Sequence, residues 1–282
     1  MSSMKRALTT LLIVLLLIVA IEALYLLSKV PQDNRAWLPE QSETASAIIG
    51  ESIVLSNVRD WTYDATGPVS TAWMTAVIDP AMVERVWFII EPFSDWEAVG
   101  HTFLSFELAD GRVYSFSVEA RREAGETYSA IRGLFSEYEL SYQWGTERDF
   151  ITRRLIYLDH PLRLYPLVLS PEASSALFRS LAEETNRLAQ KPRFYNTLAA
   201  NCTNVLAKLV NRHYPGTLPF DMSWFLTGYA DTYLIEEGLI PLAGTIEETK
   251  AAHDMTPYRD SVMGIASSTP IQFSASIRSY IK

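Results

Sequence analysis

The sequence predicts an α+β fold that follows one N-terminal transmembrane helix. Three observations lead to this prediction: an apolar run at residues 7–27, a series of strand-like segments between residues 52 and 169, and a series of helix-like segments after residue 170. Because the strands come in one run and the helices in another, we expect an antiparallel sheet packed on helices rather than a parallel α/β sheet.

The apolar run at residues 7–27 is long enough to cross a membrane. A helix of 21 residues measures roughly 31 Å, which matches the hydrocarbon core of a bilayer. Lys5 and Arg6 precede the run, and basic flanking residues favour a cytoplasmic N-terminus with the rest of the chain outside. A cleaved signal peptide is the alternative, but its apolar region is usually only about 7–15 residues long and ends at a small-residue cleavage site. We therefore predict that residues 1–30 contain an uncleaved anchor.

Residues 31–51 separate the anchor from the folded body. They are polar and are interrupted by Pro31 and Pro39, a composition typical of an extended linker. We predict that they form a tether and that residues 52–282 form one extracytoplasmic domain.

The composition is that of a globular protein, with 282 residues of which 48% are hydrophobic and 20% charged. Its net charge of −9 argues against nucleic-acid binding, because Lys and Arg are not in excess to neutralise phosphates. The sequence has no HExxH, CxxC, Walker or Rossmann pattern. Neither a metal nor another cofactor is therefore predicted.

The clearest strand pair is a hairpin at residues 101–121. Two alternating, aromatic-rich runs at 101–108 and 113–121 flank a turn that contains Asp110 and Gly111. An Asp-Gly turn between such runs is a strong hairpin signal. Further strands are predicted at 52–61, 83–90, 153–158 and 163–169.

Helices are predicted after residue 170. Ser170 caps the first of them, which covers residues 172–190 and has Pro171 in its first turn. The remaining helices are predicted at 201–213, at 224–237 with Gly238 as the stop, and at 246–253.

Cys202 is the only cysteine and is a candidate nucleophile. Asn201 is a good N-cap residue, so Cys202 falls on the first turn of the predicted helix 201–213. The positive end of the helix dipole lowers the pKa of a thiol at this position. The alternative is that Cys202 is simply a small buried residue.

A thiol nucleophile requires a base, and the sequence offers four histidines. His101 is the best candidate, because it opens a strand of the predicted hairpin and faces an aromatic-rich core. His213 lies at the far end of the cysteine helix, roughly 16 Å from Cys202, and is expected to interact with the helix C-terminus instead. His160 and His253 are predicted to be surface residues.

A third residue must orient the imidazole, and Glu119 is the candidate. A three-residue hairpin loop at 110–112 would put Glu119 and Arg121 on the same face of the hairpin as His101. A two-residue loop would put them on the other face, because a shift of one residue inverts the pattern. The alternative for both residues is an ion pair that faces solvent.

Several segments resemble the N-terminal periplasmic domain of the bacterial lipoprotein N-acyltransferase Lnb and its relatives. They are residues 57–63, 100–106, 117–128, 147–149 and 195–203. The most specific are His-Thr-Phe at 101–103 and Asn-Cys-Thr at 201–203, and the resemblance covers residues 52–255. It implies a permuted papain-like, NlpC-type fold in which the histidine strand precedes the cysteine helix.

The resemblance also implies roles for particular residues. Cys202 corresponds to the nucleophile that accepts the acyl group, and His101 corresponds to the base. Glu119 and Arg121 match the family's Ile-Glu-x-Arg strand. Asn201, Thr203 and Arg121 are the candidates for contacts with the substrate or its oxyanion, the backbone amides of Cys202 and Thr203 forming the oxyanion hole.

The function implied is a periplasmic thiol acyltransferase, anchored in the bacterial inner membrane, that acts on lipoprotein or phospholipid acyl groups. Lnb itself carries further membrane spans after this domain, whereas no second apolar run follows residue 27 in this sequence. A cell-envelope amidase or peptidase acting on cell-wall peptides is therefore an alternative. A non-catalytic envelope scaffold that reuses the domain is another.

Overall fold

The computed structural model describes residues 3–214 and 216–281. It begins with helix α1, Ser3–Ser28. Residues Lys5–Leu26 of this helix are long and apolar enough to cross a membrane, with a mean hydropathy of 2.7, and none of this span is buried against the rest of the chain. This agrees with the predicted membrane helix in its length and its composition.

A mixed α/β body follows, built on one sheet. The strands are β1 Ser46–Ile49, β2 Ile53–Arg59, β3 Thr62–Asp64, β4 Gly67–Ser70, β5 Trp73–Ile78, β6 Val83–Pro92, β7 Gly100–Leu108, β8 Val113–Arg121, β9 Glu139–Thr146 and β10 Arg163–Pro166. The order in the sheet is β1-β2-β9-β8-β7-β6-β10, β5 also pairs with β2, and β3 and β4 form a separate hairpin. Neighbouring strands are antiparallel except for β2 and β9.

Helices cover both faces of the sheet. They are α2 Ala130–Leu134, α3 Glu147–Ile151, α4 Pro171–Gln190, α5 Cys202–His213, α6 Ala230–Glu236, α7 Ile246–Ala252, α8 Arg259–Ile265 and α9 Pro270–Arg278. Strand β7 has apolar residues on both faces of the sheet, because helices pack on both. Phe106 packs on Phe178 of α4 at a ring distance of 5.2 Å, whereas Phe103 packs on Phe150 of α3 at 5.5 Å. Each face of the strand therefore contributes to its own core.

The hairpin of β7 and β8 has a three-residue loop, which is the alternative that places Glu119 on the same face as His101. Leu108 pairs with Arg112 across the loop, and Gly111 adopts a positive φ of 83° that suits glycine. The loop is therefore 109–111, one residue earlier than predicted. Phe103 pairs with Ser117, and continuing this register brings Glu119 opposite His101.

Residues 153–158 do not form the predicted strand. A π-helical turn, Thr152–Tyr157, continues directly from α3. Over six residues, an alternating pattern does not distinguish a strand from a buried helical turn. No glycine or proline ends α3, and Leu155 and Ile156 complete the core below the sheet.

The predicted tether at 31–51 is largely part of the body. β1 lies within this segment and pairs with β2 in the sheet. Trp37 is buried beneath the guanidinium of Arg121, whose carbon lies 4.4 Å from the ring centre. Prolines and polar residues indicate an extended backbone, but they do not show whether that backbone packs against its neighbours.

The predicted helix 224–237 is interrupted. Two 3₁₀ turns, Met222–Trp224 and Thr227–Tyr229, precede α6, and Gly238 ends the segment with a φ of 72° as expected. A close backbone approach occurs within the interrupted segment. A Cβ at Gly228 would overlap the carbonyl of Glu97, so only glycine fits beside the loop that precedes β7.

A buried ion pair joins β2 to α3. Asp149 accepts three hydrogen bonds from Arg59 Nε and Nη2 at 2.6–3.0 Å, and a fourth from the backbone N–H of Trp61 at 2.8 Å. Burial lowers the pKa of Arg59, but the Asp149 carboxylate raises it above its ordinary value. Two of the segments that carried the family resemblance, 57–63 and 147–149, thus meet in space.

Candidate active site

The candidate site is a cavity of about 370 Å³ where the start of β7 meets the N-terminus of α5. Such a volume is in the range of small-molecule sites. Polar and titratable side chains from eight segments converge on it. They include Glu91, His101, Glu119, Tyr128, Arg154, His160, Tyr195 and Cys202.

The N-terminus of α5 is fixed by Asn201. Its side chain accepts from Asn204 N at 2.8 Å, and the Asn204 side chain accepts from Asn201 N at 3.1 Å, which completes a capping box. Asn201 Nδ2 donates to the carbonyls of Thr197 and Trp224, both at 2.8 Å. Cys202 is therefore the first residue of the helix, where backbone N–H groups have no intrahelical acceptor.

The Cys202 thiol is buried, with 4% of the residue exposed. Burial raises the pKa of this thiol, but His101, by its charge and by a hydrogen bond, lowers it below the ordinary value. Hydrogen bonds from Thr102 lower it further. The thiolate is thus stabilised by a neighbouring imidazolium.

His101 is held in the charged form from its other side. Burial lowers the pKa of His101, yet the Glu119 carboxylate and Cys202 raise it to about 10. Nε2 lies 2.7 Å from Ser117 Oγ and 3.2 Å from Glu119 Oε1, and Ser117 Oγ donates to the same carboxylate oxygen at 2.7 Å. Because Nε2 is engaged there, we assign Nδ1 as the nitrogen that faces the thiol.

Arg154 extends the network behind Glu119. Its Nη2 donates to Glu119 at 2.9 Å and its Nε donates to Glu91 at 2.8 Å. The guanidinium also lies 4.5 Å from the ring centre of Phe103, a contact that holds it in place. Burial raises the pKa of Glu119, but His101 and Arg154 lower it well below its ordinary value.

A second histidine–carboxylate pair completes the wall of the cavity. His160 Nδ1 lies 2.5 Å from Glu91 Oε1. Glu91 is opposite His101 in the β6–β7 register, so Arg154 bridges two carboxylates that each contact a histidine. The reactive pair and the second pair therefore belong to one hydrogen-bond network.

Two tyrosines lie near the thiol on the opposite wall. The hydroxyls of Tyr128 and Tyr195 are 3.2 Å apart. Burial and the nearby Cys202 raise the pKa of Tyr195 well above its ordinary value. Burial also raises the pKa of Tyr128, so both phenols are neutral near pH 7, and one hydroxyl donates its hydrogen bond to the other.

A family model described as the Lnb N-terminal periplasmic domain matches residues 70–227. The match spans more than half of the chain and includes both residues of the thiol–imidazole pair. The chain belongs to the Lnb N-terminal periplasmic domain family. The matched region is shorter at both ends than the predicted resemblance, which ran from residue 52 to 255. No curated protein and no solved structure matches the chain.

In this Lnb-type domain, Cys202, His101 and Glu119 of the predicted set come together around one cavity. Arg121 is elsewhere. Its guanidinium donates to the carbonyls of Gln41 and Ser42, each at 2.9 Å, and its side chain is 5% exposed. Arg121 thus anchors the segment before β1 and is not among the residues that line the cavity.

Asn201 and Thr203 lie at the site, but their side chains are already engaged. Asn201 Nδ2 holds the two carbonyls described above, which removes it as an oxyanion donor. Thr203 Oγ1 lies 3.1 Å from Thr102 Oγ1. The backbone N–H groups of Cys202 and Thr203 lie in the first turn of α5 and have no intrahelical acceptor.

Sequence reasoning missed Glu91, Arg154 and His160. His160 was predicted to be a surface residue, yet it lines the cavity and is 30% exposed. His253 was also predicted at the surface, but only 6% of it is exposed and its ring packs 4.9 Å from that of Tyr165. The side chain of His213 lies outside the described residues. For Arg154, the one available signal in the sequence was its position shortly after residues 147–149, a segment that resembles the family.

The thiolate–imidazolium pair predicts an unusual pH profile for alkylation of Cys202. Because the thiol pKa is lowered, iodoacetamide should react with the full-length protein at about pH 6–7 far faster than with a free thiol. The rate should fall only as the pH drops below the thiol pKa. Glu119→Gln removes a charge that holds His101 protonated, so this variant should need a higher pH for the same rate.

The matched control is the unfolded protein, in which Cys202 loses its neighbours. A folded-state profile that coincides with the unfolded one would contradict the ion pair. The ion pair would also be contradicted if Glu119→Gln left the pH dependence of the alkylation rate unchanged.

Proposed function

We propose that this protein is a membrane-anchored thiol acyltransferase in which Cys202 carries the acyl group and His101 transfers the proton. One observation carries the proposal. The only thiol of the chain stands at the N-terminus of α5 and lines the same cavity as His101, whose charge lowers the pKa of the thiol and whose Nε2 contacts the Glu119 carboxylate. Nucleophile, base and orienting group are the three parts that covalent acyl transfer requires.

The histidine strand β7 precedes the cysteine helix α5 in the chain. This order supports the permuted papain-like arrangement that the family resemblance implied. The predominantly antiparallel sheet, with α5 packed on its central strands β7 and β8, is consistent with that arrangement.

In the first step, the Cys202 thiolate attacks the carbonyl carbon of an acyl ester. A carbon–sulfur bond forms, and the carbonyl oxygen becomes an oxyanion. The backbone N–H groups of Cys202 and Thr203 stabilise this charge. The carbon–oxygen bond then breaks, and the alkoxide takes the proton of the His101 imidazolium and leaves as an alcohol.

In the second step, an amine attacks the thioester. The neutral imidazole of His101 accepts the amine proton, the carbon–sulfur bond breaks, and the thiolate and imidazolium form again. Glu119 and Ser117 keep the ring in position through both steps. Water in place of the amine would make the same site a hydrolase.

The walls of the cavity support an acyl donor of lipid type. Beyond the polar network, most of its surface comes from apolar side chains, namely Phe93, Val99, Val118, Leu158, Leu198, Phe225 and Leu226. A helix that can span a membrane stands at the N-terminus. We therefore propose phospholipid or lipoprotein acyl groups as donors and the periplasmic side of the bacterial inner membrane as the location. An amidase or peptidase that acts on cell-wall peptides is the alternative.

The proposal is tested by trapping the intermediate. Full-length protein is incubated with phospholipid vesicles or with cell-envelope extract, quenched in acid, and weighed intact by mass spectrometry. We expect a long-chain acyl mass on Cys202 that hydroxylamine at neutral pH removes, since hydroxylamine cleaves thioesters.

Cys202→Ser is the control, because it keeps the size of the side chain and should carry no labile adduct. A peptide mass in place of an acyl mass would identify the amidase alternative. Absence of any adduct on wild-type protein from both sources, while the thiol remains reactive to iodoacetamide, would contradict the enzyme and favour a scaffold.

A further inference from the structure

We propose that the mouth of the reactive cavity is a membrane-binding surface that inserts into the bilayer beside α1. Large apolar side chains stand exposed around the mouth. This apolar rim consists of Trp96, Ile131, Leu134, Leu198, Phe220 and Leu226. Trp96, Ile131 and Phe220 are each 67–73% exposed, a level at which a large apolar side chain gains most from leaving water.

The rim residues lie in the cavity lining or next to it. Trp96, Leu198 and Leu226 line the cavity itself. Ile131 and Leu134 lie on α2, which is tied to the neighbouring loop by Asn196 Nδ2 donating to the Leu134 carbonyl at 3.2 Å.

The same loop holds the start of α2, because Thr197 Oγ1 donates to the Ala130 carbonyl at 2.6 Å. The ring of Phe220 lies 5.6 Å from that of Phe225, a residue of the cavity wall. Contiguous exposed apolar side chains of this kind mark interaction sites.

The chain itself indicates which partner covers the rim. Helix α1 ends at Ser28, and Lys29 Nζ donates to the Phe135 carbonyl at 3.0 Å and forms an ion pair with Glu137 at 2.5 Å. Phe135 directly follows Leu134 of the rim. A bilayer that holds Lys5–Leu26 therefore has its surface within a few residues of the rim.

The chemistry of the rim favours lipid over an acidic or basic protein partner. The side chains are apolar, and a tryptophan at the rim suits the interface between headgroups and acyl chains. The chain carries a net charge of −9 and Asp95 and Glu97 flank Trp96, so apolar insertion and not attraction to anionic lipid must supply the binding.

Insertion would let an acyl chain pass from the bilayer into the cavity without crossing water. The inference rests on the proposed membrane attachment of α1. It does not depend on the chemistry proposed for Cys202.

Depth measurements on the full-length protein test this. In a Cys202→Ser background, which removes the only cysteine, a single cysteine is introduced by Leu198→Cys or Phe220→Cys and spin-labelled. Ile48→Cys and Ile271→Cys are the matched controls, because both residues are apolar and 70% and 45% exposed but lie away from the rim. Each protein is reconstituted into phosphatidylcholine nanodiscs, and collision rates with oxygen and with a water-soluble nickel complex are compared.

At both rim positions we expect the spin label to collide more often with oxygen, which concentrates in the bilayer, than with the water-soluble nickel complex. At both control positions we expect collisions with the nickel complex to dominate. Two rim positions on different loops are used in case one variant fails to fold. Thermal unfolding of each variant in the same nanodiscs would reveal such a failure. The proposal would be overturned if the spin labels at the rim collided with oxygen and nickel in the same ratio as the labels at the control positions. Because this background has no nucleophilic thiol, the result is independent of whether the protein proves to be an acyltransferase.

Discussion

Cys202→Ser is expected to abolish acyl transfer and to leave the fold nearly unchanged. The two side chains are similar in volume, and the apolar contacts of α5 with the sheet come from residues such as Leu206 and Leu209. A serine hydroxyl at this position does not ionise as a thiol does, because its pKa is far higher. We expect a loss of about 10³-fold or more in turnover, measured with the acyl donor that labels the wild-type protein.

His101→Ala should cause a loss of similar size. Without the imidazole, the thiol loses the charge that lowers its pKa, and the leaving group loses its proton donor. The double variant should be hardly less active than either single variant, because nucleophile and base act as one unit. Losses that multiply in the double variant, with circular dichroism showing all three proteins folded, would contradict a shared catalytic step.

Asp149→Ala is expected to cause the largest loss of stability among these substitutions. It leaves the Arg59 guanidinium, 4% exposed, without its carboxylate and removes the acceptor of the Trp61 N–H. Breaking a buried ion pair in this way typically costs about 3–5 kcal/mol. The free energy of unfolding of full-length protein in detergent, measured with urea, should fall by this amount.

Glu247→Ala is the control for that measurement. Glu247 forms an ion pair with Lys250 at 3.3 Å, but its side chain is 82% exposed, and exposed pairs contribute less than about 1 kcal/mol. Equal losses for Asp149→Ala and Glu247→Ala would show that the Arg59–Asp149 pair does not hold β2 to α3.

The elements that could be predicted from the sequence are those whose signals are local. Ser170 with Pro171 predicted the start of α4, and Asn201 predicted the start of α5 with Cys202 in its first turn. An Asp-Gly turn between aromatic runs predicted the hairpin that carries His101 and Glu119. These predictions succeeded because a cap or a turn depends on residues only two to four positions apart.

The groups that support the reactive pair could not be predicted in this way, because they meet only in the folded protein. Glu91, Arg154 and His160 come from β6, from a π-helical turn and from the loop after it, and no short sequence pattern relates them. Their contacts arise because the register of β6 and β7 places Glu91 opposite His101 and because α3 continues past residue 151.

Tertiary packing also decided burial. The segment 31–51 reads as a linker, yet β1 pairs with β2 and Arg121 holds the residues before β1. His253 is polar and lies at the end of a short helix, yet it is buried against Tyr165. The polarity of a segment shows that it can be exposed to solvent. Whether it is exposed depends on which distant segment packs over it.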